Sequence, residues 1–334
     1  MSRLRPLLRK AAFRSGALHI ARHGVRRALT VVMLHRVIDP ADPDFGAADP
    51  TYTLSLPLFV DFLKFLQAHY AIVRLADVMA AQTGAAGLPE HALLLTFDDG
   101  WADNLRYAAP ALGEHRVPAV IFVVAEAIQA RTDAWWHERI FAASRDGTLT
   151  RWLSQFGIGG LACGPVAPAA IDVVSRLGLM DGGARDALML TLSSPPCCRR
   201  MMLEPEELGQ LARYGIDIGL HGYSHVPLTR VPDVAGEMSR AGTAIERMSG
   251  GASVSTALGC PHGLYDAQVI QSARHAGIKH IFTSDPWLNS TQGGMLAPDR
   301  VLGRINVSTE NIVDGAGRFD SSAAARWLWA RETR

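Results

Sequence analysis

Two pairs of side chains stand out for the chemistry that their types and spacing allow. Asp98 and Asp99 are adjacent, directly after the apolar run Ala92-Leu93-Leu94-Leu95-Thr96-Phe97, and Gly100 follows them. Neighbouring carboxylates repel unless they share a proton or face a cation, so the pair asks for a metal. His221 and His225 stand four residues apart in His221-Gly222-Tyr223-Ser224-His225, after a strand-like stretch from Gly215 to Leu220. That spacing puts two imidazoles on one side of a helical turn, and a tight loop does the same. Either histidine alone could equally cap or fill. Two histidines with one aspartate from another strand end, however, form a site for zinc or another divalent ion that keeps room for water.

Such a set must be held by strand ends. The run Ala92 to Phe97 suits a strand buried on both faces of a parallel sheet, and Gly100 lets the chain turn sharply after it. Further apolar runs at Leu29 to Leu34, Tyr70 to Val73, Pro118 to Val124, Val254 to Leu258, His280 to Thr283 and Leu302 to Val307 read as strands. Helical patterns lie between them, including one that Ser55 caps and Pro57 opens. Alternating strands and helices predict right-handed parallel crossovers. Seven or eight such pairs in one domain suit a distorted (β/α) barrel of about seven strands rather than an open sheet. Residues 131–200, with Trp135-Trp136-His137-Glu138 and a Gly/Pro-rich middle, break the rhythm and read as a helical and loop insertion forming one rim of a cleft.

The 334 residues carry 48% hydrophobic and 19% charged side chains, a balance for a globular protein with an ample core. No stretch reaches the ~18 apolar residues that a membrane span requires. Residues 1–28 hold eight basic side chains and no acid, which leaves 25 basic against 32 acidic residues in the body. This arm reads either as an amphipathic basic helix on an anionic membrane or as a helix packed on the barrel. It lacks the apolar region and cleavage site of a secretory signal. Cys163, Cys197, Cys198 and Cys260 form no CxxC pair and suggest a reducing compartment. The expected location is therefore cytoplasmic, with peripheral contact at the inner face of the membrane through the arm.

Thr96-Phe97-Asp98-Asp99-Gly100-Trp101 resembles the first motif of the polysaccharide deacetylases (carbohydrate esterase family 4, the NodB-homology domain), and His221 to His225 resembles their H-[ST]-x-x-H motif. Gly259-Cys260-Pro261-His262-Gly263-Leu264-Tyr265 is similar to their third motif, and the likeness runs over about residues 29–310, with 311–334 as a C-terminal helix. The resemblance implies Asp99, His221 and His225 as ligands of one divalent ion, most readily Zn2+, and Asp98 as catalytic base. It implies a hydrolase of linear amides that removes an N-acetyl group from an amino sugar, in a surface polysaccharide or its lipid-linked precursor. Pro261, His262, Tyr265, Arg304 and Trp101 are the expected substrate-binding residues, with Arg304 also able to orient Asp98. Trp135 and Trp136 fit either sugar stacking or a core.

The chain departs from the family pattern in three places. Gly222 stands where a Ser or Thr usually follows the first histidine, removing a hydroxyl near the ligands. His262 replaces a common aromatic residue. No segment after Arg304 resembles the family's C-terminal Leu-Leu-His strand; the comparable stretch is Val31-Val32-Met33-Leu34-His35. First and last strands are neighbours in a closed barrel, so His35 is the expected general acid, with His262 as the alternative. A catalytically inactive glycan-binding barrel, a sugar O-deacetylase or N-deformylase, and a phosphoesterase are the competing readings. The retained acids and histidines argue against the first. The last would need a second metal and more basic residues near the site. No nucleic-acid partner is expected.

Overall fold

The computed structural model describes residues 13, 15, 22, 25–130, 135–156, 168–192, 200–250 and 254–334. Among them are twelve strands: β1 (Ala28–Leu34), β2 (Arg36–Ile38), β3 (Thr53–Ser55), β4 (Ala71–Ile72), β5 (Ala92–Asp99), β6 (Ala119–Val123), β7 (Ile216–Leu220), β8 (Val254–Gly259), β9 (His280–Phe282), β10 (Asn289–Gln292), β11 (Met295–Leu296) and β12 (Ile305–Asn306). The principal sheet runs β1-β5-β6-β7-β8-β9, all parallel. Residues 302–306 then close it. Leu302 bridges Phe282 of β9, and Ile305 of β12 pairs with Val32 of β1. Seven parallel positions thus form a distorted (β/α) barrel, as the strand count in the sequence led one to expect.

The sheet's alternation is visible in its packing. Leu93, Leu95 and Phe97 of β5 face a core shared with the outer helices, and so do Ile121 and Val123 of β6. The intervening Leu29 and Val31 of β1, Leu94 of β5, Val120 and Phe122 of β6, Ala257 of β8 and Phe282 of β9 fill a separate cluster inside the barrel. Phe122 and Phe282 lie 5.4 Å apart by ring centroid in its upper layer. Glycines on β7 and β8 leave them room: a Cβ at Gly219 would fall 2.5 Å from Phe122 Cδ1, and one at Gly259 would fall 2.9 Å from Phe122 Cγ.

Helix Leu56–His69 starts where expected, with Ser55 Oγ accepting from Leu58 N and Pro57 in the first turn. The parallel β2–β3 pair and the β10–β11 hairpin were not foreseen, because their two to four residues are too short to show a period. In the insertion, helices Trp136–Arg145, Thr148–Ser154, Pro168–Gly178 and Gly182–Leu190 build a core of their own, in which Trp136, Trp152 and Leu177 are buried. Its Gly/Pro-rich middle lies outside the described residues, as do Cys163, Cys197, Cys198 and most of the basic arm. From the arm, Phe13 stacks against Trp329 at 6.2 Å, and Arg22 Nη2 donates to the His69 carbonyl at 2.6 Å. No helix among the described residues is long and apolar enough to cross a membrane.

The fit around Phe122 generates a prediction. Gly219→Ala should destabilise the protein by ~1–3 kcal/mol, the usual cost of overpacking, and Phe122→Leu in the same chain should recover part of that loss. Urea unfolding of the three chains measures both.

Candidate active site

Strand parity carries the chemistry to the mouth of the barrel. Asp98 stands four residues after Leu94, and His35 four after Val31, so both continue rows that face inward. His221 continues the row of Gly219 in the same way.

Asp98 is 2% exposed and Arg304 is fully buried. The guanidinium donates to both carboxylate oxygens, at 2.6 and 2.8 Å, while its Nε donates to the Thr283 carbonyl at 3.0 Å. Burial alone would push the Asp98 carboxyl up. Arg304, with His221 and His35, outweighs that and holds it below its ordinary value. Arg304 therefore lies behind Asp98 and does not line the cavity.

Asp99 has φ +78, a conformation that non-glycine residues rarely adopt and that clusters at functional sites. Gly100 follows at φ +91. One Asp99 oxygen accepts from Trp101 Nε1 at 2.9 Å; the other lies 3.5 Å from His221 Nε2 and 3.4 Å from His225 Nε2. Trp101 in turn lies beneath Arg36, whose guanidinium carbon is 4.3 Å from the ring centre.

His221 Nδ1 is 2.7 Å from the Gly259 carbonyl. A carbonyl only accepts, so Nδ1 carries a proton and Nε2 is the nitrogen turned to Asp99. Burial, reinforced by His262 and His221, holds His225 well below the usual imidazole range, so it is neutral at pH 7. A lone pair on an imidazole nitrogen facing a carboxylate oxygen is unfavourable unless a cation lies between them. The ligand atoms of Asp99, His221 and His225 all fall within 4.8 Å of one another, and the three residues are buried. This donor set fits a divalent ion.

The loop between the histidines is pinned by Glu237. Its Oε1 accepts from the N–H groups of Tyr223 and Ser224 at 3.0 and 2.8 Å, and from Ser224 Oγ at 2.8 Å. Gly222 has φ +76, where a β-branched residue would be strained, and the loop's hydroxyl contact comes from Ser224 instead.

A cavity of about 350 Å³ opens on this centre. His35 lines it with Asp98 and Asp99; its ring lies 4.5 Å from that of Tyr52, and its Nδ1 has no partner among the described residues. Burial keeps His35 below its ordinary value against the pull of Asp99 and Asp98. His262 also lines the cavity, but its Nε2 lies 3.1 Å from the His225 carbonyl and is engaged there as a donor. Pro261 is buried in its turn, and Tyr265 donates to Asp285 at 2.8 Å; neither lines the cavity. Sequence reasoning overlooked Tyr52, Ser284 and, from the insertion, His137 and Phe141, all of which do. Only the Trp135-Trp136-His137 run, with its polar ring among apolar ones, hinted at the last pair. Trp135 and Trp136 themselves are core residues.

A family model described as polysaccharide deacetylase matches residues 85–281. No curated protein sequence matches significantly. Among solved structures, the Streptococcus pyogenes deacetylase PplD in complex with acetate aligns with 90% of this chain and 98% of its own, at 13% identity and a TM-score of 0.58. IcaB from Ammonifex degensii aligns with 91% and 97% of the two chains at 17% identity and a TM-score of 0.56. A de-N-acetylase from Aggregatibacter actinomycetemcomitans covers 81% and 95%, at 16% identity and a TM-score of 0.51. At these identities the likeness establishes the fold.

The Asp98–Arg304 pair yields a second prediction. Arg304→Met strands a buried carboxylate and should cost about 3–5 kcal/mol. The double variant Asp98→Asn/Arg304→Met should be more stable than Arg304→Met alone, because it also removes the charge. Urea titration of the single and double variants measures the coupling.

Proposed function

Because the chain belongs to the polysaccharide deacetylase family, we propose that it is a metal-dependent hydrolase that removes the N-acetyl group from an amino sugar of a glycan. One observation carries this reading: two adjacent buried acids have separate partners, Asp98 a guanidinium and Asp99 two imidazoles. A binding module has no need to bury both. Asp99, His221 and His225 would hold the ion, most readily Zn2+, which when bound polarises a carbonyl and lowers the pKa of water toward ~7.

The chain's own residues supply the proton transfers. Asp98, kept ionised by Arg304, is the base that takes a proton from the attacking water. Because the guanidinium donates to both oxygens, Asp98 keeps a fixed aim. His35, on the same cavity wall, is the acid that protonates the departing amine nitrogen. His262 is engaged with the His225 carbonyl and serves as a positioning residue for that ligand. Trp101 fixes the second oxygen of Asp99, so that the first remains turned to the imidazoles.

Amine release from N-acetylated glucosamine oligomers, with metal content measured alongside, tests the assignment. Native protein should hold about one divalent ion per chain, at the three-residue donor set found among the described residues. Asp98→Asn should retain the ion and lose activity by ~10²–10⁴-fold, whereas His225→Ala should lose both. Native protein that binds no divalent ion would overturn the reading.

The role of His35 has its own signature. His35→Gln should lower amide hydrolysis by ~10²–10⁴-fold yet leave hydrolysis of an activated aryl acetate nearly intact, since that leaving group departs unprotonated. Equal loss on both substrates would reassign His35 to a structural part.

A further inference from the structure

Asp98 and Asp99 are each held by hydrogen bonds to their own carboxylates, but no such bond reaches His35 Nδ1 among the described residues. What fixes His35 is the chain on which it sits. His35 lies between β1 and β2, and its carbonyl accepts from Asn104 Nδ2 at 2.8 Å. Arg36, the next residue, donates through Nε and Nη2 to one oxygen of Asp103, both at 2.8 Å. Val37 then donates its N–H to the other oxygen at 3.1 Å. Three consecutive residues of one segment are thus gripped by two consecutive side chains of another. The ring beside the imidazole depends on the same segment, since Arg36 N donates to the Tyr52 carbonyl at 3.0 Å.

The gripping segment is the one that leaves Asp99. Between Asp99 and Asp103 stands Trp101, which donates to Asp99 at 2.9 Å and lies under the Arg36 guanidinium, 4.3 Å from ring centre to carbon. Asn104 opens a π turn, in which Ala109 N donates to its carbonyl five residues back. Turns of this kind are rare and recur at functional sites.

Stability does not account for the ion pair. Arg36 and Asp103 are 6% and 4% exposed. Burial pushes the Asp103 carboxyl up, and Arg36 with the Val37 N–H offsets only part of that. Buried pairs often add no net stability over apolar residues of the same volume, so geometry is what this one offers.

We infer that Arg36 and Asp103 are positioning residues, which tie the segment of His35 to the strand exit of Asp99 and so keep the general acid at a fixed distance from the donor set. The inference rests on the reading of His35 as the acid that protonates the leaving amine.

Arg36→Met/Asp103→Asn removes both charges together and strands neither. Zinc-loaded, full-length native, His35→Gln, pair-variant and triple-variant proteins are compared on N-acetylated glucosamine oligomers and on an activated aryl acetate. The pair variant should lose kcat on the oligomers by up to ~10²-fold, the cost of a ~1 Å misplacement, with KM and aryl acetate hydrolysis within about threefold of native. The triple variant should be no slower on the oligomers than His35→Gln alone, because a residue that acts through His35 then has nothing left to position. Arg36→Lys, which keeps a charge for Asp103, should lose less than the pair variant. Zinc titration of the metal-free proteins by calorimetry should give the pair variant nearly the native affinity, since Trp101 still holds Asp99.

A loss shared by both substrates, a further loss in the triple variant, a raised KM with kcat intact, or weakened zinc binding overturns the inference. Each would make the pair a part of the general fold, a substrate contact or a support for the ligands instead. Native protein inert on the oligomers, or His35→Gln that slows both substrates alike, would sink the proposed reaction and this inference together. Selective loss in His35→Gln without one in the pair variant sinks this inference alone.

Discussion

Two adjacent carboxylates, Asp98 at 2% and Asp99 at 6% exposure, can be buried together only if each meets positive charge within a few ångströms. The barrel meets that demand from opposite directions. Arg304 reaches Asp98 from the far end of the chain and uses three donors to hold itself and the acid in place. Asp99 is left to two imidazoles, with which it forms a donor set that fits a divalent ion. The division of labour between chemically identical neighbours follows from which partner each one faces. It needs no difference in the acids themselves.

Several features far from the chemistry serve this arrangement. Gly219 and Gly259 lack side chains so that Phe122 can lie under Arg304, whose guanidinium carbon is 5.3 Å from the ring centre. The weakly hydrated guanidinium tolerates an aromatic floor that an ammonium would not. Above it, Asp99, His225 and His262 all hold positive φ, so three neighbouring side chains reach the cavity only through backbone conformations that cost energy. Glu237, Trp101 and the His262–His225 contact are what hold those conformations.

Much of this was legible in the residues. Uniform apolar runs announced the parallel strands, and acids or histidines at their ends announced the mouth of the barrel. Likewise, residues 302–306 join β1 to β9, so the first and last strands are neighbours, as a closed barrel requires. Arg304 was harder to judge, since a sequence does not distinguish a buried guanidinium from one at the surface; only its 0% exposure decides. Tyr265 sits in a motif yet spends its hydroxyl on Asp285, because a turn determines direction in ways that spacing does not. The insertion was least legible. His137 lies in a run whose helical face packs against a second core, and nothing local says that this core stands beside the barrel.

The closing segment also sets an order of assembly. Asp98 and Arg304 are separated by 206 residues, so a nascent chain presents both acids long before their counter-charge exists. Until Leu302 to Asn306 is inserted, β9 and the upper half of β1 are open parallel edges, and Asp98 must stay hydrated. Late, non-local closure of this kind is slow and leaves strand edges open to other chains. The step that completes the barrel is therefore the same step that makes the acid pair safe to bury, and a ribosome-bound intermediate has neither. Quality control in the cell would meet this protein as an unclosed sheet with a charged mouth, and its yield would depend on how long that state lasts.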